Sequence, residues 1–193
     1  MNSPYHISRL MIVATLLLAS CIQSHKNRPV YADMGRLNMI ERNGVSYLNN
    51  EKFSGVAYRL YPNNDTAFIM PFENGKLEGV LKRWYPDKQL AEERQYHAGE
   101  KYGTHRGWYV SGRRKFLYQM KNDHYEGNAK EWFENGQLVR DCNYVHGQEE
   151  GMERMYYTNG KLMANYQSIK GRKYGLTGVK SCVSVWGSGF AIK

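Results

Sequence analysis

GNAKEWFENGQL, running from Gly127 to Leu138, is the stretch that decides the fold. Its opening glycine recurs at Gly55, Gly79, Gly103, Gly151 and Gly175, so successive copies stand 24 residues apart without a slip. A fixed interval of this length is the signature of a repeat array, in which each copy is one supersecondary element stacked on its neighbours. Counting from each glycine, position six reads Trp84, Trp108, Trp132 and Tyr156, and position seven reads Tyr61, Tyr85, Tyr109, Phe133 and Tyr157. Aromatics fill strands well. Turn residues follow at Pro86-Asp87-Lys88, Ser111-Gly112, Asn135-Gly136 and Asn159-Gly160, and the two Asn-Gly pairs predict tight two-residue hairpin loops. A returning run, Leu138 to Tyr144 or Leu162 to Ser168, reads as a second strand, and Gly75, Gly99, Gly147 and Gly171 mark a second bend at position twenty-one. The prediction is an all-β chain: an elongated single-layer antiparallel sheet of 24-residue β-hairpins. A helix over Leu90 to Tyr96, suggested by Ala91, Glu92, Glu93 and Arg94, is set aside because the equivalent run Phe116 to Met120 favours strand, and equivalent positions share one backbone state.

The glycine, the aromatic pair and the Asn-Gly-Gln/Lys-Leu segment resemble the MORN (membrane occupation and recognition nexus) repeat, in the variant form of bacterial proteins labelled YwqK-like antitoxins of toxin-antitoxin systems. The likeness covers residues 55–174 as five copies and implies a MORN-like solenoid. The first copy departs most, with Asn63-Asn64 at its bend and Met70-Pro71 in its return strand.

Ahead of the array, Met1 to Ser20 joins a short polar head carrying Arg9 to the apolar run Leu10 to Leu18, with small residues before Cys21. This is the pattern of an export signal whose apolar part is too short to span a bilayer comfortably. Leu18-Ala19-Ser20-Cys21 resembles the bacterial lipobox, which implies that residues 1–20 are removed as a lipoprotein signal peptide and that Cys21 carries the lipid, palmitate or a similar acyl chain. Ile22 after the cysteine, with no acidic cluster behind it, implies by analogy an outer-membrane lipoprotein facing the periplasm of a bacterial envelope. Residues 21–39, with Ser24, His25, Lys26, Asn27, Arg28 and Pro29, read as a tether that needs little order. Residues 40–54, with Asn43-Gly44, Tyr47 and Phe53, read as a shortened unit capping the array. Residues 175–193, with a strand from Val179 to Trp186 and the turn Gly187-Ser188-Gly189, read as a C-terminal cap that closes the sheet edge.

The net charge of +9 bears on association with anionic surfaces, not on fold. For an exported chain it points to lipid head groups, acidic glycans or an acidic protein, and away from nucleic acid. With a strand period of two, Lys82, Arg106, Lys130 and Arg154 at position four share a face with Trp84, Trp108, Trp132 and Tyr156 at position six. At two strands per unit, these pairs recur every ~10 Å and form a ladder suited to an elongated anionic partner. The competing reading makes the rings the packing between units, with the cations lying over them or facing solvent. Tyr85, Tyr109, Phe133 and Tyr157 then stand on the opposite face.

No HExxH, GxSxG, Walker-type loop or CxxC occurs, and Glu92, Glu93, Glu149 and Glu150 have no partner base in the pattern. His97, His105, His124 and His146 fall at unrelated repeat positions. No catalytic residue, cofactor or metal ligand is therefore expected. An exported protein could join Cys142 and Cys182, but they lie more than one unit apart, on the order of 15 Å along the array, which argues against a disulfide unless the tail folds back; Cys142 is expected to pack as a small apolar residue. The function expected is that of a non-enzymatic, lipid-anchored envelope protein whose sheet binds or scaffolds a protein or an anionic polymer. The rival readings are an antitoxin or immunity-like protein neutralising a toxin, implied by the family label, and an accessory domain of an envelope enzyme.

Overall fold

The computed structural model describes residues 30–178, and their regular structure is all strand. In chain order the strands are β1 (Tyr31–Asp33), β2 (Met39–Arg42), β3 (Val45–Leu48), β4 (Glu51–Lys52), β5 (Gly55–Leu60), β6 (Thr66–Glu73), β7 (Lys76–Leu77), β8 (Gly79–Trp84), β9 (Leu90–His97), β10 (Glu100–Lys101), β11 (Gly103–Trp108), β12 (Arg114–Lys121), β13 (His124–Trp132), β14 (Leu138–Val145), β15 (Gln148–Glu149), β16 (Gly151–Tyr156), β17 (Leu162–Ile169) and β18 (Arg172–Leu176). Fifteen of them form one open sheet, and its long strands pair in the order β1-β5-β6-β8-β9-β11-β12-β13-β14-β16-β17-β18. The five predicted units are the five hairpins β5-β6, β8-β9, β11-β12, β13-β14 and β16-β17, and Leu90–His97 is a strand, not a helix.

The two bends of each unit exchange the roles the sequence suggested for them. At the first bend the left-handed conformation falls on one residue per loop: Asn64, Lys88, Gly112, Gly136 or Gly160. The position-seven N–H binds the carbonyl four residues on, as Phe133 N does with Gln137 O at 2.8 Å, and its own carbonyl accepts Gly136 N–H at 2.9 Å. This is a three-residue loop, a tight turn followed by a left-handed residue, and not the predicted two-residue loop. In four of the five loops asparagine or aspartate stands before that residue because its side chain caps the loop, as Asn135 Oδ1 accepts Gln137 N–H at 2.9 Å and Asp87 Oδ1 accepts Gln89 N–H at 3.1 Å; the other loop has Ser111 there. The tight two-residue turn lies at the second bend, where both residues are left-handed in Asn74-Gly75, Ala98-Gly99, Asn122-Asp123, His146-Gly147 and Lys170-Gly171. The register also slips once in every hairpin, between positions five and six, as at Arg83/Trp84 and Glu131/Trp132. This bulge bends each hairpin at the same place.

Neighbouring units are stitched at both edges. Along the second-bend edge, Gly99 N–H binds Leu77 O, Asp123 N–H binds Lys101 O and Gly147 N–H binds Tyr125 O at 2.9–3.1 Å. The position-twenty N–H meets a side chain from position twenty-four of the unit before: Ala98 N–H with Glu78 at 2.7 Å, His146 N–H with Glu126 at 2.8 Å and Lys170 N–H with Glu150 at 3.0 Å. Tyr102 breaks that series, and there Asp123 turns back to accept Lys101 N–H at 2.9 Å.

The N-terminal cap differs from a shortened unit. β2, β3 and β4 form a separate three-stranded sheet, attached at the first second-bend turn through Ser46 N–H to Gly75 O and Gly75 N–H to Phe53 O. Within the predicted tether, Tyr31–Asp33 instead runs parallel to β5 and supplies the edge of the main sheet, with Ala32 and Ala57 fully buried against each other's strands. A sequence pattern built on antiparallel hairpins carries no sign of that parallel partner. At the other end β18 is the last described strand. The predicted lipidation site Cys21, Cys182 and the predicted strand Val179 to Trp186 lie outside the described residues.

Candidate binding face

Cross-strand register decides what the predicted ladder is. Lys82 stands opposite Glu93, Arg106 opposite both Glu93 and Leu117, Lys130 opposite Leu117 and Asp141, and Arg154 opposite Asp141 and Asn165. Residues opposite each other share a face, so positions four and fifteen interleave into one row: Ile69, Lys82, Glu93, Arg106, Leu117, Lys130, Asp141, Arg154, Asn165. Each carboxylate lies between two cations. Lys82 Nζ is 3.2 Å from Glu93, Arg106 is 3.7 Å from the same carboxylate, and Lys130 Nζ is 3.4 Å from Asp141. Arg154 is exposed and has no carboxylate within ion-pair range among the described residues. The ladder is thus one ion-paired trio, Lys82, Glu93 and Arg106, and one pair, Lys130 and Asp141, with Arg154 next in the row; Leu117 separates the two groups, and the row is not an unbroken cationic strip. Sequence reasoning passed over Asp141 and named Glu93 only as an acid without a partner base, whereas both stand in the charged row. Their signal was position fifteen, which becomes legible only when the bulge is counted into the hairpin register.

The rings do share this surface. Trp84 lines a recess with Thr66 and Ile69, the latter being the cross-strand partner of Lys82. The guanidinium of Arg114 lies 5.6 Å from the Trp132 ring centre, and Trp84, Trp108, Trp132 and Tyr156 are all half-buried. The rings pack against the neighbouring unit yet keep some surface. Beside the charged row runs a row of hydroxyl and amide groups, in which Thr104 donates to Gln119 at 3.0 Å and Asn128 to Asn143 at 3.1 Å and to Asp141 at 2.7 Å.

The opposite face is the buried one. Position three, occupied by Ala57, Leu81, His105, Ala129 and Glu153, is buried in every unit, and it pairs with Met70, Arg94, Tyr118, Cys142 and Tyr166 at position sixteen. Ala57, Leu81, Ala129 and Met70 are simple hydrophobes; the polar groups among the rest each have a partner. His105 donates from Nε2 to Gln95 O at 2.8 Å, and burial holds its pKa below the usual imidazole value. Tyr118 donates to Glu131, which also receives Arg140 at 2.7 Å. Burial, then the neighbouring Glu153, pushes the Cys142 thiol up to about 12, so this fully buried cysteine is an inert packed residue. Among the described residues no group of three or more His, Cys, Asp or Glu side chains is placed to hold a metal ion.

An open sheet of registered two-stranded units, carrying one polar face of repeated charges and rings, defines the class: a β-hairpin repeat protein. The family model described as the MORN repeat variant matches residues 77–98, 125–146 and 149–167, three stretches that together fall short of half the chain. Their starts are 48 and 24 residues apart, the period of the glycines. No curated protein matches the chain significantly. The units opening at Gly55 and Gly103 lie outside the matched stretches but for their last two residues. They are the two with the least regular bends, Asn63-Asn64 in one and Asn122-Asp123 in place of a glycine turn in the other.

Proposed function

We propose that the protein is a non-enzymatic binding or scaffold module of the bacterial envelope, held to the outer membrane by a lipid on Cys21 and facing the periplasm, whose polar sheet face captures a partner protein. The face comprises Lys82, Trp84, Arg106, Trp108, Lys130, Trp132, Arg154 and Tyr156, interleaved with Glu93 and Asp141. The observation that carries the reading is the row of two mixed-charge clusters flanking Leu117. A fixed alternation of sign favours a folded surface of complementary pattern over a uniformly anionic polymer, whose charges the carboxylates repel. The export signal and lipobox resemblance support the address.

The test is replacement of Lys82, Arg106, Lys130 and Arg154 with glutamine, followed by photo-crosslinking from Gln119 on the same face in cells. The expected result is loss of the crosslinked protein at low ionic strength. Unchanged crosslinking removes this face from consideration, and retention of the unsubstituted protein on acidic polysaccharide or anionic vesicles alone replaces the protein partner with a polymer or lipid. Cys21→Ser is expected to release the protein from membranes; if it stays bound, the anchor lies elsewhere.

A further inference from the structure

Between the three-stranded N-terminal sheet and the first two units lies a cavity of about 500 Å³. The cavity opens to solvent, and its volume falls within the roughly 300–1,000 Å³ of ligand sites, which favour junctions between packed units. Its lining is dominated by Met34, Met39, Ile40, Met70, Phe72 and Leu77. Three of the chain's nine methionines therefore converge here from β2, β6 and the segment after β1. Met34, Met39, Met70 and Phe72 also pack on the buried cluster of Ala32, Phe53 and Ala57, so the wall is anchored while the cavity stays open. Methionine is unbranched and polarizable, and suits an apolar ligand that adopts several conformations. The one charged residue of the lining is Glu41, which is exposed, and no lysine, arginine or histidine joins it.

We infer that this cavity is a binding site for a single unbranched acyl chain whose head group is uncharged or cationic. The apolar lining takes the chain, and Glu41 at the rim repels a carboxylate or phosphate head while tolerating a neutral one or attracting an ammonium. The site is separate from the polar face, on which no part of this inference depends. One such chain could come from a free lipid or from the protein's own lipid at Cys21, nine residues before Val30, a link able to span up to about 30 Å.

The test is binding of the neutral fluorescent probe N-phenyl-1-naphthylamine to the full-length chain and to its Cys21→Ser copy, with displacement below their micelle concentrations by monopalmitoylglycerol, hexadecyltrimethylammonium and palmitate. The neutral and cationic lipids are expected to displace the probe, palmitate being about five-fold weaker, and Glu41→Gln is expected to abolish that difference. Met70→Trp and Ile40→Trp, each checked for an unchanged melting transition, should both reduce probe binding by filling the cavity. Binding by the Cys21→Ser copy alone identifies the protein's own lipid as the occupant, and equal binding by both identifies a free lipid. No binding by either form, binding untouched by both tryptophan variants, or palmitate displacing as well as the neutral lipid overturns the assignment.

Discussion

The phenolic O–H of Tyr85 donates to the backbone carbonyl of Trp108, 23 residues on in the next unit, at 3.0 Å. Tyr61 does the same to Trp84 at 2.7 Å and Tyr109 to Trp132 at 2.8 Å. The aromatic pair is therefore a joint: the position-seven ring packs on its own hairpin while its hydroxyl holds the next unit in register. Phe133 ends the series, because it has no hydroxyl to offer Tyr156. Tyr85→Phe should cost about 1 kcal/mol, the net worth of one such bond, while Phe133→Tyr should gain a fraction of that. Urea unfolding of the two variants checks both, and equal stability of Tyr85→Phe and wild type would show that the hydroxyl adds nothing.

Gly107 stands where other units carry Arg83 or Glu131, and a methyl group built on it would lie 2.1 Å from the Phe116 ring. Phe116 is buried and stacks on Tyr118 at 4.6 Å, so it has little room to move. Gly107→Ala is expected to destabilise by about 1–3 kcal/mol through overpacking. Adding Phe116→Leu should recover part of the loss, and the thermal midpoints of the single and double variants give the comparison.

Ala98 adopts φ 52° at the first residue of its two-residue turn, a left-handed conformation that costs an ordinary L-residue about 1 kcal/mol. Asn74 and Asn122 occupy the equivalent site in other units. Ala98→Asn should therefore stabilise the protein by roughly 0.5–1 kcal/mol, with the N–H to Glu78 retained. A melting point no higher than wild type would contradict this.

Two buried-face carboxylates respond to pH in opposite senses. For Glu149, burial pulls the pKa upward, but Lys173 at 2.7 Å and the Tyr166 hydroxyl at 2.9 Å outweigh it and hold the group below the usual value of 4.5. Its contribution is present above pH 4.5 and is lost as pH falls through the lower folded value. Glu153 is fully buried, and burial raises its pKa despite the Cys142 and Asn143 hydrogen bonds. Its charge thus opposes folding at neutral pH, and that penalty fades as pH drops through the raised folded value. Glu149→Gln should destabilise at neutral pH, with little difference from wild type in acid. Glu153→Gln should stabilise at neutral pH, with the gain shrinking in acid. Denaturant titrations across this range test both, and parallel profiles for the two variants would refute the assignment.

The hairpin array was legible because its determinants are local. Gly103 takes φ 67° and Gly151 φ 101°, conformations open to glycine at little cost, so the unit boundary is written in the residue itself. The exchange of the two bends was not legible. Asn135-Gly136 suits a two-residue turn, but the Asn135 side chain capping Gln137 N–H selects a longer loop. Ala98-Gly99 carries weaker turn chemistry, yet it is forced into the tight turn by Glu78 and by its backbone bond to Leu77.

By itself the sequence determined the period, the two strands of each unit and the face shared by Lys82, Trp84 and their equivalents, since strand alternation and turn preference act over a few residues. Only the tertiary structure decided that Glu93 and Asp141 divide the cations, that Tyr31–Asp33 lies parallel to the first unit, and that Met34, Met39 and Met70 meet around one cavity. Those relationships depend on register and contact between segments distant along the chain, which no local spacing encodes.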